Sequence, residues 1–225
     1  MEQIKAICRE EVLRYLGYHG ETLSEDLLEE LSECESLVLS HAKPAYVSLV
    51  FDCKEVEHGV ALLGSTLVLA GEDIKAHLQG CCKVVLFAAT LSFEVVRLIN
   101  TTGFTSVSRA LLLDAASDAL IEQVCDAVEA DIRAEMPGMF STWRFSPGYG
   151  DLPISLQNEI LTVLDAQRRI GLCATDSYML TPHKSVTAVI GFSETELPKK
   201  QRGCETCAAH ETCIYRKRGD RCDHN

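Results

Sequence analysis

The 225-residue chain contains no apolar run of 18 residues, the length a membrane-spanning helix needs. Its start, Met1-Glu2-Gln3-Ile4-Lys5, is charged and reads as the beginning of an amphipathic helix, unlike a secretory leader. These two absences predict a soluble, cytoplasmic protein without a membrane partner. Internal repeats and low-complexity tracts are missing, which excludes a solenoid. No GK[ST] phosphate loop, GxGxxG, HExxH or nucleophile elbow occurs, so the common signatures of nucleotide binding, zinc proteolysis and acyl transfer are excluded. The net charge of −12 argues against a general nucleic-acid binder. Prolines number only six and tryptophan only one, Trp143, so the places where these residues gather carry information.

They gather in Arg144-Phe145-Ser146-Pro147-Gly148-Tyr149-Gly150-Asp151-Leu152-Pro153, directly after Trp143. Two glycines and two prolines within Pro147 to Pro153 forbid a regular helix and favour a tight, fixed loop. Such loops hold backbone groups against ligands. Arg144 supplies a planar, always-charged donor for a carboxylate, Gly148 admits close approach to the backbone, and Tyr149 adds an aromatic wall with a polar tip.

The rest of the chain up to residue 196 reads as one domain with helices and non-adjacent strands. The spacing predicts a helix over 3–16 with a stop at Gly17 and a second from Ser24 to Ala42, with Leu27, Leu28, Leu31 and Leu37 inward. Strands are expected over 45–51 and 59–69, the latter open to bending or splitting at Gly64-Ser65. A short helix over 72–78, a buried strand over 83–89 and a helix over 92–99 follow. The longest helical pattern runs from about Ser106 to Met136, with a stripe of Leu113, Leu120, Val124, Val128 and Ile132, and Pro137-Gly138 ends it. A helix over 154–169 and a strand over 185–192 complete the domain. Long helices with scattered strands and no regular βαβ alternation favour the α+β class.

Residues 197–225 read as a separate tail. They contain Cys204-x2-Cys207-x5-Cys213-x8-Cys222. Thiols this dense in a chain without a secretory mark point to metal binding, as a zinc site or an iron–sulfur cluster, with free or redox-active thiols as the alternative. Residues 198–225 hold seven Lys/Arg against four Asp/Glu, a local +3, which would partly neutralise a thiolate-rich centre. Most of the earlier cysteines, such as Cys8, Cys34, Cys125 and Cys173, lie singly in periodic segments and read as buried free thiols, and the adjacent Cys81-Cys82 read as the start of a strand.

The segment Arg144-x-x-x-Gly148-Tyr149 resembles the S-adenosylmethionine motif of the activation domain of cobalamin-dependent methionine synthase. A second block, Gly171-Leu-Cys-Ala174-Thr175-Asp176-Ser177-Tyr-Met179-Leu-Thr-Pro182, is similar to that family's Gly-x-x-Leu-Thr-Glu-Ser-x-x-Met-x-Pro, with Ala174 in place of Leu and Asp176 in place of Glu. Order and spacing of the two blocks agree with the family. The resemblance implies helices packed around a twisted, mainly antiparallel sheet. It also implies an S-adenosylmethionine site with Arg144, Ser146, Pro147, Gly148, Tyr149, Asp151, Asp176 and Ser177 as candidate contacts. The implied reaction is reductive methylation of cob(II)alamin, with the cobalamin on a partner protein, because no corrinoid-binding Asp-x-His-x-x-Gly occurs here. The expected partners are a corrinoid-binding protein or a split methionine synthase subunit, and a one-electron donor such as flavodoxin or ferredoxin. A metal-tailed sensor module, or a structural subunit that only docks a corrinoid protein, are the readings from other classes.

Overall fold

The computed structural model describes residues 4–18, 22–197 and 211. In chain order the elements begin with α1 (Arg9–Leu16), α2 (Glu25–His41), β1 (Ala45–Val56), β2 (Gly59–Leu62), β3 (Val68–Ala70), α3 (Glu72–His77) and β4 (Lys83–Thr90). They continue with α4 (Phe93–Gly103), α5 (Val107–Ala134), β5 (Phe140–Ser141), α6 (Leu156–Val163), α7 (Ala166–Ile170), β6 (Cys173–Ala174), β7 (Leu180–Thr181) and β8 (Ser185–Ser193). A six-stranded sheet has the order β3-β2-β1-β4-β8-β5, and β6 pairs with β7 in a separate hairpin. The β1–β2, β2–β3, β5–β8 and β6–β7 ladders are antiparallel, so the class is α+β with a mainly antiparallel sheet, as the element pattern predicts. Among the described residues no helix is long and apolar enough to cross a membrane.

The chain divides into two compact units. The first comprises Met1–Leu49, Leu86–Pro137 and Gln157–Ala188. Its hub is α5, against which α1, α2 and α4 pack. All five residues of the expected stripe, Leu113, Leu120, Val124, Val128 and Ile132, are buried, and Ala115, Ala116 and Ala119 widen that face so that several helices can approach it. Truncating Leu120 to Ala would cost about 2–5 kcal/mol at a site this closely packed. Ser106 opens α5 by accepting the amide of Arg109 at 3.2 Å, and Ser24 opens α2 by accepting the amide of Leu27 at 3.3 Å. On α2 the buried positions are Leu31, Cys34 and Val38, whereas Leu27, Leu28 and Leu37 are only half-buried.

The second unit comprises Val50–Val85, Gly138–Leu156 and Val189–Asn225. Here the expected strand over 59–69 is two strands, β2 and β3, paired with Val60 opposite Leu69, and α3 packs on both. The loop after β5, 142–153, begins along the C-terminal half of β8, where the Thr142 amide donates to the Gly191 carbonyl at 2.9 Å. Phe145 and Val189 exchange both backbone hydrogen bonds, at 2.9 and 2.8 Å.

Two helix expectations are corrected. Ile4–Cys8 is not helical, and α1 starts at Arg9. The Cys8 amide is taken instead by Gln123 Oε1 at 2.9 Å, and Gln123 Nε2 donates to the Ala6 carbonyl at 3.1 Å, so a tertiary tether outcompetes the first turn. The expected helix over 154–169 is two helices, broken at Asp165, which adopts φ 51°. The break lets both Leu164 and Ala166 reach full burial, which a continuous helix would not combine with buried Ile160 and Leu161. The tail cysteines Cys204, Cys207, Cys213 and Cys222 lie outside the described residues.

Candidate functional site

The first motif loop lies wholly in the second unit, and its rigidity has identifiable sources. Ser146 to Tyr149 form a turn in which the Tyr149 amide donates to the Ser146 carbonyl at 3.1 Å. The Gly148 amide then donates to the Leu152 carbonyl at 2.9 Å, and the Leu152 amide returns to the Tyr149 carbonyl at 3.0 Å. Pro147 is buried beneath this turn, Arg144 and Ser146 are half-buried, and Gly148 and Tyr149 face solvent. The loop therefore presents a tyrosine ring and a side-chain-free backbone outward from a buried proline base.

Asp151, a candidate ligand contact from the sequence, has a structural task. Its carboxylate accepts the amides of Glu72 at 2.6 Å and Asp73 at 3.0 Å, the first two amides of α3. The Asp73 carboxylate in turn accepts the Asp151 amide at 3.1 Å. This reciprocal clasp places a negative charge at a helix N-terminus, where orphan amides and the helix dipole favour it. It also explains two glycines. A Cβ on Gly71 (φ 141°) would overlap Asp151 Oδ1, and one on Gly150 (φ 52°) would overlap Asp73 Oδ2.

At the other end of α3 stands His77, which the sequence reading does not single out. It is buried, and its Nε2 lies 2.9 Å from the carbonyl of Trp143. Its ring centroid is 4.7 Å from that of Trp143, edge-on, and 4.9 Å from that of Phe145. Phe145 in turn meets the Tyr149 ring edge-on at 6.0 Å. A histidine inside a helical segment carries no sequence signal for this role, because its partner lies 66 residues away.

The second block lies in the first unit, and each block is therefore held by its own surroundings. Asp176 and Ser177 are exposed at the tip of the β6–β7 hairpin. Thr175 organises that tip. Its amide donates to the Met179 carbonyl at 2.9 Å, its carbonyl accepts the Tyr178 amide at 2.9 Å, and its hydroxyl meets that of Ser177 at 2.9 Å. Gly171 and Pro182, the first and last residues of the block, line an open groove of about 630 Å³ with Phe93, Val96, Arg97 and Ile170. Just beyond, the buried Lys184 Nζ contacts Asp118 Oδ1 at 2.6 Å, Asp114 Oδ1 at 2.8 Å and the Asp114 carbonyl at 3.2 Å. Burial pushes the Asp118 carboxyl above its ordinary value, and the Lys184 ammonium pulls it back. This arrangement fastens the chain leaving the second block to α5. His183, beside it, is exposed. Among the described residues no group of three or more His, Cys, Asp or Glu side chains could hold a metal ion.

No known protein-family description matches the chain, and no curated protein sequence matches it either. Solved structures do. The crystal structure of the MetH reactivation domain bound to AdoHcy matches with a TM-score of 0.63 and 13% sequence identity, covering 92% of this chain and 80% of that one. This chain has the fold of the MetH reactivation domain. The resemblance read from Arg144-x-x-x-Gly148-Tyr149 and the Gly171–Pro182 block is thus borne out at the level of the fold. Both blocks lie within the described residues.

Proposed function

We propose that this chain binds S-adenosylmethionine and reactivates a corrinoid protein by reductive methylation, as a subunit of a split cobalamin-dependent methionine synthase or of a related corrinoid methyltransferase system. The observation that supports this most is the coincidence of two independent signals: the reactivation-domain fold over 92% of the chain, and the Arg144-to-Tyr149 motif on a loop clamped at both ends. The neighbour of that fold is bound to AdoHcy, the product that S-adenosylmethionine leaves after methyl transfer.

The chemistry asks for positioning and for no protein nucleophile. Cob(II)alamin takes one electron from a donor such as flavodoxin or ferredoxin. The cobalt then forms a bond to the sulfonium methyl as the sulfur–methyl bond breaks, and AdoHcy departs with the electron pair. Catalysis of this kind consists of holding the methyl in line. In this reading the Arg144 guanidinium pairs with the methionyl carboxylate, and the backbone of Ser146 to Gly148 with the Tyr149 ring packs around the ligand. Asp176 and Ser177 supply hydrogen bonds from the second block. Asp151 supports the loop through its clasp on α3. The tail cysteines Cys204, Cys207, Cys213 and Cys222 bind an iron–sulfur cluster or zinc, and the module works in the cytoplasm.

Titration calorimetry with S-adenosylmethionine tests the site, and methyl transfer to a reduced corrinoid protein tests the reaction. Binding without transfer would favour a sensor module, and neither would favour a docking subunit. A chain cut after Glu196 tests the tail. With a cluster that relays electrons, the truncated protein binds S-adenosylmethionine and reactivates cob(II)alamin only with a strong chemical reductant. With zinc, the defect persists with any reductant. Full activity of the truncated chain with every donor would refute the relay.

A further inference from the structure

The root of Arg144 is the peptide unit it shares with Trp143. That unit's carbonyl accepts a hydrogen bond from His77 at 2.9 Å. A carbonyl has no proton to give, so His77 Nε2 carries the hydrogen and the imidazole is held as a donor toward the loop. His77 is only 6% exposed, and its ring stands against Trp143 and Phe145, whose own ring meets Tyr149. His77 is also the last residue of α3, whose first turn is clasped by Asp151. One short helix thereby grips the loop at both ends, Trp143 through its last residue and Asp151 through its first amides.

We infer that His77 is the positioning residue of the ligand loop. Its N–H sets the plane of the peptide from which Arg144 springs, and its ring fixes the Phe145–Tyr149 wall, without His77 touching the ligand. The inference rests on the reading that residues 144–149 bind S-adenosylmethionine. A buried histidine that merely satisfies a core carbonyl would, when replaced, lower stability evenly and leave ligand affinity alone.

The test uses the full chain and two variants. His77→Phe keeps a ring against Trp143 and Phe145 and deletes the donor, while His77→Gln restores an N–H on a flexible arm. Three quantities are measured: backbone deuterium exchange over 143–152, S-adenosylmethionine affinity by calorimetry, and Tm. For His77→Phe we expect exchange across 143–152 to rise about tenfold while α5 keeps its protection, and affinity to fall about tenfold, the scale of one lost, well-aligned hydrogen bond. His77→Gln should recover most of both. Unchanged exchange over 143–152 in His77→Phe overturns the inference, and so does a loosened loop with affinity within about twofold of wild type. If His77→Phe does not fold, His77→Gln decides: near-wild-type loop protection and affinity uphold the donor role, and loss of both overturns it. A wild-type chain that gives no heat with S-adenosylmethionine refutes the ligand reading alone, and the exchange data still decide whether His77 orders the loop.

Discussion

Replacing Asp151 with Ala should remove the clasp between the motif loop and α3. Two bonds vanish, from the amides of Glu72 and Asp73 at 2.6 and 3.0 Å. A bond from a backbone amide to a charged acceptor contributes about 1.5–3 kcal/mol when buried. Asp151 is exposed, so water recovers part of each, and the range of about 0.5–2 kcal/mol measured for helix N-caps applies. Serving two amides at once puts Asp151→Ala near the upper end, about 1.5–2 kcal/mol, or roughly 3–8 °C in Tm for a chain of this size. Asp151→Asn keeps one acceptor oxygen and should lose about half of that. Asp73→Ala deletes only the bond from the Asp151 amide at 3.1 Å and should cost about 0.5–1 kcal/mol. Because the two carboxylates hold each other's backbones, the double variant should cost less than the sum by about 0.5–1 kcal/mol. Urea denaturation of the four proteins at pH 7, with the m-value unchanged, measures this cycle. Additive losses within about 0.3 kcal/mol, or an Asp151→Ala variant as stable as wild type, would refute the clasp.

Arg144→Ala should weaken S-adenosylmethionine binding ten- to a hundred-fold, about 1.5–3 kcal/mol, with the fold intact by circular dichroism, and Arg144→Lys should restore only part, since a point charge lacks the planar fork. Lys184→Met should cost about 1–3 kcal/mol by chemical denaturation, between the values for buried and exposed ion pairs, because Lys184 is buried while Asp114 and Asp118 remain partly wet. Adding Asp118→Asn should recover some of that loss, because the neutral amide no longer needs a counter-ion. The Lys43 ammonium at 2.7 Å is the main cause that holds the Glu94 carboxyl down to about 2. A depressed carboxylate stabilises the fold above its unfolded pKa, about 4.3, and loses that contribution as pH falls toward 2. The Tm of wild type should therefore converge on that of Glu94→Gln between about pH 4.5 and pH 2, and parallel Tm curves over that window would exclude the pair.

Local physics was enough to read several elements from the amino-acid sequence. A hydroxyl before an acidic turn marked Ser24 as a helix start, and the apolar period placed the start of the longest helix near Ser106; both accept the amide three residues on. Gly17 marked a helix end and sits there with φ 79°. The apolar period of α5 named five buried residues correctly, because a helix repeats its environment every few residues and the pattern is written into consecutive positions. The glycine and proline crowding after Trp143 likewise announced a rigid loop, since φ preferences belong to the residue itself.

The tertiary structure decided whatever depends on partners distant along the chain. Asp151 reads equally well as a ligand contact or a helix start until Glu72 and Asp73, 79 and 78 positions away, bring their amides to it. Lys184 finds its partner in Asp118, 66 positions back, which takes its ammonium. Ile4–Cys8 carries a helical period but surrenders it to Gln123, and Asp165 interrupts another helix so that Leu164 and Ala166 can both be buried. His77 has no signal in its own neighbourhood, since the carbonyl that fixes its role belongs to a residue that only folding brings within 2.9 Å. Amide, carboxylate and ammonium groups accept whichever partner the packed chain presents, and burial makes that choice binding because an unpaired group is costly away from water.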